Sequence, residues 1–320
     1  MNKSQIGWCD FSWNPITGCR FNCKYCYARK MSKVLCGDVR LNKGDPQITC
    51  DKSTGMYVLE KPFHSMRGGV LQFPVGFAPT LHEYRFDMPI QKKKPGNLLV
   101  CSMGDLFGDW ISEKWIMRVF DACAMAPHHN YLFLTRNPGR YDDLADRNLL
   151  PRKDNHWYGT TVTKPDEPYF SRDGYHSFIC IEPIHADFGN DYELNAEWVI
   201  VGAESGQEKQ KVAPQTEWIQ NIYELCRRSR IPLYMCKSRE LKAAWKGRFH
   251  QKLPAQLQHE EIPIPHCKSC DSCKACEDGK RGMQRFCTRH GICHIPGRYT
   301  RTSPPWCELR KIKKGKGVKP

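Results

Sequence analysis

The 320-residue chain has no run of about eighteen consecutive apolar residues, so no membrane-spanning helix is expected. Its opening, Met1-Asn2-Lys3-Ser4-Gln5, lacks the apolar core of an export signal, and cytoplasmic residence is expected. No internal repeat of solenoid length is found, which sets aside repeat architectures. Acidic residues are in short supply, with 34 Asp and Glu against 49 Lys and Arg and a formal net charge of +15. Such a deficit of acid predicts attraction to a polyanion, in the simplest case nucleic acid. Cysteine, in contrast, is abundant at 18 residues. In a reducing compartment cysteines in that number read as metal ligands and core thiols, not as disulfides.

Three of these cysteines lie close together in Gly18-Cys19-Arg20-Phe21-Asn22-Cys23-Lys24-Tyr25-Cys26-Tyr27, a Cys-x3-Cys-x2-Cys run. Three thiolates on one short loop suit one face of a cubane iron–sulfur cluster and leave one iron open, unlike the four-cysteine ligation of electron-transfer clusters. A zinc site would more often show paired Cys-x2-Cys knuckles. The run resembles the signature of the radical S-adenosylmethionine superfamily, with Tyr25 at the aromatic position before the third cysteine. The preceding Trp13-Asn14-Pro15-Ile16-Thr17-Gly18-Cys19 resembles a phage-encoded branch of that superfamily, whose signature reads Trp-Asn-Pro-x-x-Gly-Cys. The resemblance implies a [4Fe-4S] cluster held by Cys19, Cys23 and Cys26. It also implies S-adenosylmethionine on the open iron, an external one-electron reductant of the flavodoxin or ferredoxin type, and generation of a 5′-deoxyadenosyl radical. If the chain is phage-encoded, its compartment is the host cytoplasm.

Short β-branched runs predict strands over 6–13, 97–102, 130–135, 156–161, 177–181, 196–201 and 231–236. Amphipathic spacing predicts helices over 112–126, 216–228 and 239–246. Alternating strands and helices predict an α/β fold with a parallel sheet, and the resemblance implies a partial (β/α) barrel. The barrel domain is expected over 1–260, with an insertion at about 31–95 that reads as a lid or cap. A Cys-rich module over 261–309 and a basic tail over 310–320 follow.

Reactive groups in parallel barrels gather at the C-terminal strand ends. Ser102-Met103-Gly104-Asp105 follows the second predicted strand. It falls where the resembled family carries a Gly-Gly-Glu turn for the methionine amino group, so Gly104 and Asp105 are cofactor candidates. Thr135 and Arg136 end the third strand. Arg136 reads as a partner for the cofactor carboxylate or for a substrate phosphate, since guanidinium binds both in bidentate fashion. Gly202 and Glu204 follow the sixth strand, the glycine allowing close approach to a flat ligand and the acid reaching ribose hydroxyls or substrate. Cys236 ends the seventh and reads either as a hydrogen-atom donor or as a small buried residue. Glu204, Arg136 and Cys236 are the catalytic candidates. Tyr25, Gly104, Asp105, Thr135, Gly202 and Glu204 are the cofactor-binding ones.

Downstream, Cys267, Cys270, Cys273 and Cys276 recur every third residue, with Cys287, Cys293 and Cys307 beyond. Such density suggests a second metal, and the spacing leaves open an iron–sulfur cluster or zinc. Eight bases and one acid lie in 298–320, a footprint for phosphate contact. With the resemblance, these features predict a radical rearrangement on a thymidine side chain in phage DNA, the partner being DNA or a modified nucleobase. Two alternatives stay open. One is radical modification of protein, peptide or tRNA, or repair of a DNA lesion. The other is a non-catalytic nucleic-acid-binding metalloprotein.

Overall fold

The computed structural model describes residues 1–258 except 53, 66–67 and 205–210, and beyond them the backbone of three short strands. The chain divides into two compact units, Met1–Gln258 and His259–Pro320. The first begins with β1 (Asn2–Lys3), β2 (Phe11–Trp13), β3 (Ile16–Thr17), α1 (Tyr27–Val34), α2 (Val39–Lys43), β4 (Thr49–Asp51), β5 (Met56–Leu59), β6 (Thr80–His82) and α3 (Met88–Gln91). It continues with β7 (Asn97–Val100), α4 (Glu113–Ala124), β8 (Asn130–Thr135), α5 (Pro138–Asp146), β9 (His156–Thr161), β10 (His176–Ile181), β11 (Trp198–Val201), α6 (Thr216–Arg228), β12 (Leu233–Met235) and α7 (Arg239–Ala244). The main sheet has the order β1-β2-β7-β8-β9-β10-β11-β12. All neighbours pair in parallel except β1 with β2.

Side chains alternate between the two faces of each strand. On the inner face Leu99, Leu132, Trp157, Phe178, Trp198 and Tyr234 form one buried cluster with Trp8. Trp8 meets Trp198 edge-on at 5.9 Å. Gly7 lies against the far-edge strand, where a Cβ would come within 2.4 Å of the Tyr234 hydroxyl. The segment ahead of β2 therefore touches β12, and the sheet curls into a partial barrel. On the outer face α4 and α5 bury Trp115, Ile116, Val119, Phe120, Tyr141 and Leu144 against Tyr131, Phe133 and Tyr158. α6 and α7 bury Ile219, Ile222 and Leu241 against Ile179, Val199 and Met235. Each such side chain contributes about 1.5–3 kcal/mol of burial.

Local chemistry sets the helix ends. α6 has Glu217 in its first turn and Arg227 and Arg228 in its last, which complements the helix dipole. The Ser238 side chain accepts from the Leu241 amide and caps α7. Past α7 the chain runs along the free edge of β12: Met235 N donates to His250 O at 2.7 Å and Lys252 N to Leu233 O at 3.0 Å. It also ties to the N-terminal strand ends, where Asn97 Nδ2 donates to Leu257 O at 2.8 Å. Asn130 Nδ2 donates to Gln256 O at 3.2 Å, and Trp198 Nε1 to Lys252 O at 3.1 Å.

The expected α/β partial barrel is what is observed. The first predicted strand shortens from 6–13 to Phe11–Trp13, because Gly7 and Trp8 turn inward to close the curl. Within the stretch at 31–95, β4, β5 and β6 join β3 from ahead of it in a separate four-stranded sheet of order β3-β6-β5-β4, over a small core of Ile48, Leu59, Phe63 and Val75.

In the second unit the backbone of β13 (Cys273–Asp278), β14 (Gly282–Cys287) and β15 (Cys293–Ile295) forms an antiparallel sheet in that order. Cys273 pairs in register with Cys287, and Cys287 with Cys293. Cys267, Cys270 and the basic tail over 310–320 lie outside the described residues, and for Cys273 and Cys276 only the strand position is described. No helix among the described residues is long and apolar enough to cross a membrane.

Candidate active site at the strand ends

The loop with three cysteines is seated by glycine. Gly18 has φ +83° and runs directly against the backbone of Phe77 and Ala78. Its amide donates to Met103 O at 2.9 Å, and it pairs in a parallel bridge with Gly104. A Cβ on Gly104 would come within 2.8 Å of Gly18 O, so two backbones meet where only glycines fit. Cys26 caps α1, its sulfur accepting from Arg29 N at 3.4 Å. Burial pushes the Cys19 thiol up to about 12. A thiol so placed stays protonated at neutral pH unless a metal holds it as thiolate.

Cys19, Cys23 and Cys26 line one wall of a cavity of about 590 Å³. The opposite walls are strand ends: Cys101 and Asp105 after β7, Leu134 to Arg136 on β8, Thr161 on β9, Glu182 after β10, Glu204 after β11, and Cys236 after β12. Of the sequence candidates, Tyr25, Gly104, Asp105, Thr135, Arg136, Glu204 and Cys236 all line this cavity together with the three cysteines. Gly202 is not among its lining residues. A side chain there would meet the Glu182 carboxyl at 2.5 Å, so this glycine makes room for a neighbouring acid.

Several candidates have defined partners. Arg136 donates to the Tyr25 hydroxyl, approaches Cys23 Sγ at 3.5 Å and pairs with Glu167 Oε1 at 3.3 Å. It ties the three-cysteine loop to the end of β8. Asp105 accepts from Thr135 Oγ1 at 2.7 Å, Phe107 N at 2.9 Å and Arg136 N at 3.0 Å. It braces two strand-end loops, and burial raises its pKa to about 6 despite those donors. Glu204 faces His185 Nε2 at 3.3 Å, and the His185 ring meets the Tyr25 ring edge-on at 5.4 Å. The Cys236 thiol donates to Glu182 Oε2 at 3.5 Å.

Three further residues look functional, of which Glu182 is readable from the sequence as a polar residue after the fifth predicted strand but carries no role there. Glu182 lines the cavity with thiols as its hydrogen-bond partners: Cys236, and Cys180 at 4.0 Å. Burial raises its pKa. Its place just after β10 was the available signal. Glu167 reaches Arg136 from a loop, and no local spacing announces it. Tyr27 lines the cavity and donates to Ser102 O at 2.8 Å.

A family model described as "Protein of unknown function (DUF5131)" matches residues 3–263. The chain belongs to this family. The DUF5131 match takes in the three loop cysteines and the whole cavity lining, whereas the cysteines from 267 onward lie beyond it. Among curated proteins none matches the chain. A solved structure of a spore photoproduct lyase mutant is 10% identical, covering 89% of this chain and 70% of its own, with a TM-score of 0.38.

The residues present fit a cluster. Among the described residues no three ligating side chains converge on a point that would hold a single metal ion. A cubane cluster takes each thiolate on a separate iron, so sulfurs spaced around a loop suit it better than they suit zinc.

Proposed function

We propose that this chain is a radical S-adenosylmethionine enzyme. The observation that carries this reading is the placement of Cys19, Cys23 and Cys26 on one wall of a cavity whose facing walls are the C-terminal ends of β7 to β12. The three cysteines would hold a [4Fe-4S] cluster, and S-adenosylmethionine would occupy the adjoining part of the cavity. When bound, the reduced cluster and S-adenosylmethionine supply a carbon radical strong enough to take hydrogen from an unactivated C–H bond.

The chain's own residues prepare that chemistry. Arg136 fixes the loop through Tyr25 and lies 3.5 Å from the Cys23 sulfur. Phe21 and Trp110 meet edge-on at 4.9 Å and cover the loop. Burial pushes the Cys236 thiol well above its usual range, so it keeps its proton at neutral pH, and burial also raises the pKa of the Glu182 carboxyl. A neutral S–H on the cavity wall is the group needed to return a hydrogen atom to a substrate carbon radical, the role assigned to Cys236; the thiyl radical this leaves would take one electron from the external one-electron reductant and a proton from solvent.

For the substrate, the reading is a nucleobase in DNA, with radical rearrangement of a thymidine side chain as the reaction. The net charge of +15 supports a polyanionic partner. The 590 Å³ cavity is in the size range of small-molecule sites and takes a base only if it is turned out of its stack. The test is anaerobic reconstitution with iron and sulfide, reduction, and assay of 5′-deoxyadenosine from S-adenosylmethionine. Parent protein should form it, and Cys19→Ala, Cys23→Ala and Cys26→Ala should each form none. Full turnover by any one variant overturns the reading. Mass spectrometry of nucleosides from cognate DNA, with and without the protein, tests the substrate.

A further inference from the structure

Cys19 lines a second groove as well as the cavity. This groove measures about 500 Å³, and its other walls include Arg20, Arg29, Lys43, Tyr57 and Phe77. Among the described residues no acidic side chain lines it. Its cations are held in place. Arg20 Nη2 donates to Thr54 O at 2.9 Å and Gly55 O at 3.3 Å. Arg29 Nη2 donates to Cys19 O at 3.1 Å, and its guanidinium lies 4.7 Å over the Phe77 ring. Its Nε is buried with no hydrogen-bond partner among the described residues. Lys43 lies 5.4 Å from the Tyr57 ring centroid.

We propose that this groove is the docking face for an acidic one-electron donor protein, which passes its electron to the cluster through the Cys19 side of the loop. The proposal rests on the cluster reading above. One electron leaves the donor and one enters the cluster, and no bond is made or broken. Cys19 is common to the groove and the cavity, so a donor seated in the groove is one side chain from the cluster position. Residues 20–43 hold seven bases and one acid, a field that steers an acidic partner.

The lining itself argues for a protein over a nucleic-acid strand. Beside its cations the groove is walled by Tyr57, Phe77, Ala78 and Pro79. Apolar and aromatic side chains among Arg and Lys suit a protein interface, whereas nucleic-acid faces are more polar. The helices that carry Arg29 and Lys43 also expose Met31, Val34 and Leu41 outside the groove.

The test uses the full-length reconstituted protein and flavodoxin hydroquinone as the donor. Cluster bleaching is followed by stopped flow, and flavodoxin affinity by calorimetry. In the R20E/K43E variant the flavodoxin-driven rate and affinity should fall about tenfold or more at low salt, the gap closing as salt screens the charges. Reduction by dithionite, which needs no docking, should be unchanged. If R20E/K43E takes up less iron than the parent, the single K43E variant, farther from the loop in sequence, is read instead with the same expectation in smaller measure. Flavodoxin rates equal to those of the parent at every salt concentration overturn the proposal. So does a loss of duplex DNA affinity with no change in flavodoxin rate, which would give the groove to nucleic acid. A parent protein with no cluster that dithionite reduces overturns the cluster reading instead, and the two failures are distinguished by that control.

Discussion

Replacing Gly18 with alanine tests how the three-cysteine loop is seated. A Cβ at Gly18 would lie 2.4 Å from Ala78 O, 2.6 Å from Ala78 C and 2.8 Å from Phe77 O. All three are backbone atoms, so none can swing aside as a side chain would. Ordinary contact begins near 3.4 Å, so the loop or its neighbour must move by about 1 Å. The left-handed backbone costs an L-residue about 1–2 kcal/mol, and overpacking adds about 1–3 kcal/mol. If the whole unit absorbs this, Tm falls by about 2–4 °C for each kcal/mol. If the loop absorbs it by shifting, Tm holds, the three sulfurs lose their alignment and iron uptake falls. Gly189→Ala is the control, since that residue has φ +67° and nothing within 4 Å of a built Cβ, leaving backbone strain alone. Thermal melts of the apo-protein and iron-per-chain after reconstitution are measured for both variants. The reasoning fails if Gly18→Ala melts no lower than Gly189→Ala and also takes up as much iron as the parent.

Two further outcomes follow from the packing and the buried acid. Gly159→Ala would put a Cβ 2.2 Å from the Phe178 ring, which is fully buried in the inner cluster with Trp8 and Trp198. It should cost about 1–3 kcal/mol, and Phe178→Leu in the same chain should recover part of that loss in urea melts; no recovery would contradict the contact. Asp105 is held at about 6 by burial, above the 3.8 of an unburied side chain. Between those values the folded state binds more protons than the unfolded, so this group's contribution to stability falls as pH rises from about 4 to 6, at up to about 1.4 kcal/mol per pH unit. The difference between the parent and Asp105→Asn in urea midpoints at pH 4, 5, 6 and 7 should show that slope. A flat difference would mean that the donors from Thr135, Phe107 and Arg136 fully offset burial, and a slope of opposite sign that they outweigh it.

The strands at 130–135 and 156–161 and the helix at 216–228 are fully legible, because the strands are rich in aromatic and β-branched residues and the helix repeats Ile219, Ile222, Leu225 and Cys226 at helical spacing. α1 is not. Its sequence Tyr-Ala-Arg-Lys-Met-Ser-Lys-Val buries only Ala28 and Ser32, so it carries no apolar stripe to read. α5 was missed as well; its buried Tyr141, Leu144 and Ala145 sit among charged residues that dilute the pattern. For the site, the rule that polar groups gather at strand ends brought most candidates into one cavity, because a parallel sheet forces its C-terminal ends to one side. It could not foresee partners brought by tertiary folding, such as Glu167 for Arg136 or Glu182 beside Gly202. The insertion's sheet was hidden because its strands are two to four residues long, too short to show a period.

The segment after α7 has a consequence for how the barrel unit resists association. An edge strand with free amides and carbonyls is a template for strand addition from another molecule. Here that edge is occupied from within, since residues 250–252 exchange backbone hydrogen bonds with β12 while Leu257 plugs the inner cluster from below. The opposite edge is β1, only two residues long and too short to recruit a neighbour. A chain cut before His250 would keep every parallel strand and the entire cysteine loop, yet it would expose β12 and uncap the carboxamides of Asn97 and Asn130. Solubility would fail there before the fold did, and the shortest well-behaved barrel unit runs through Gln258.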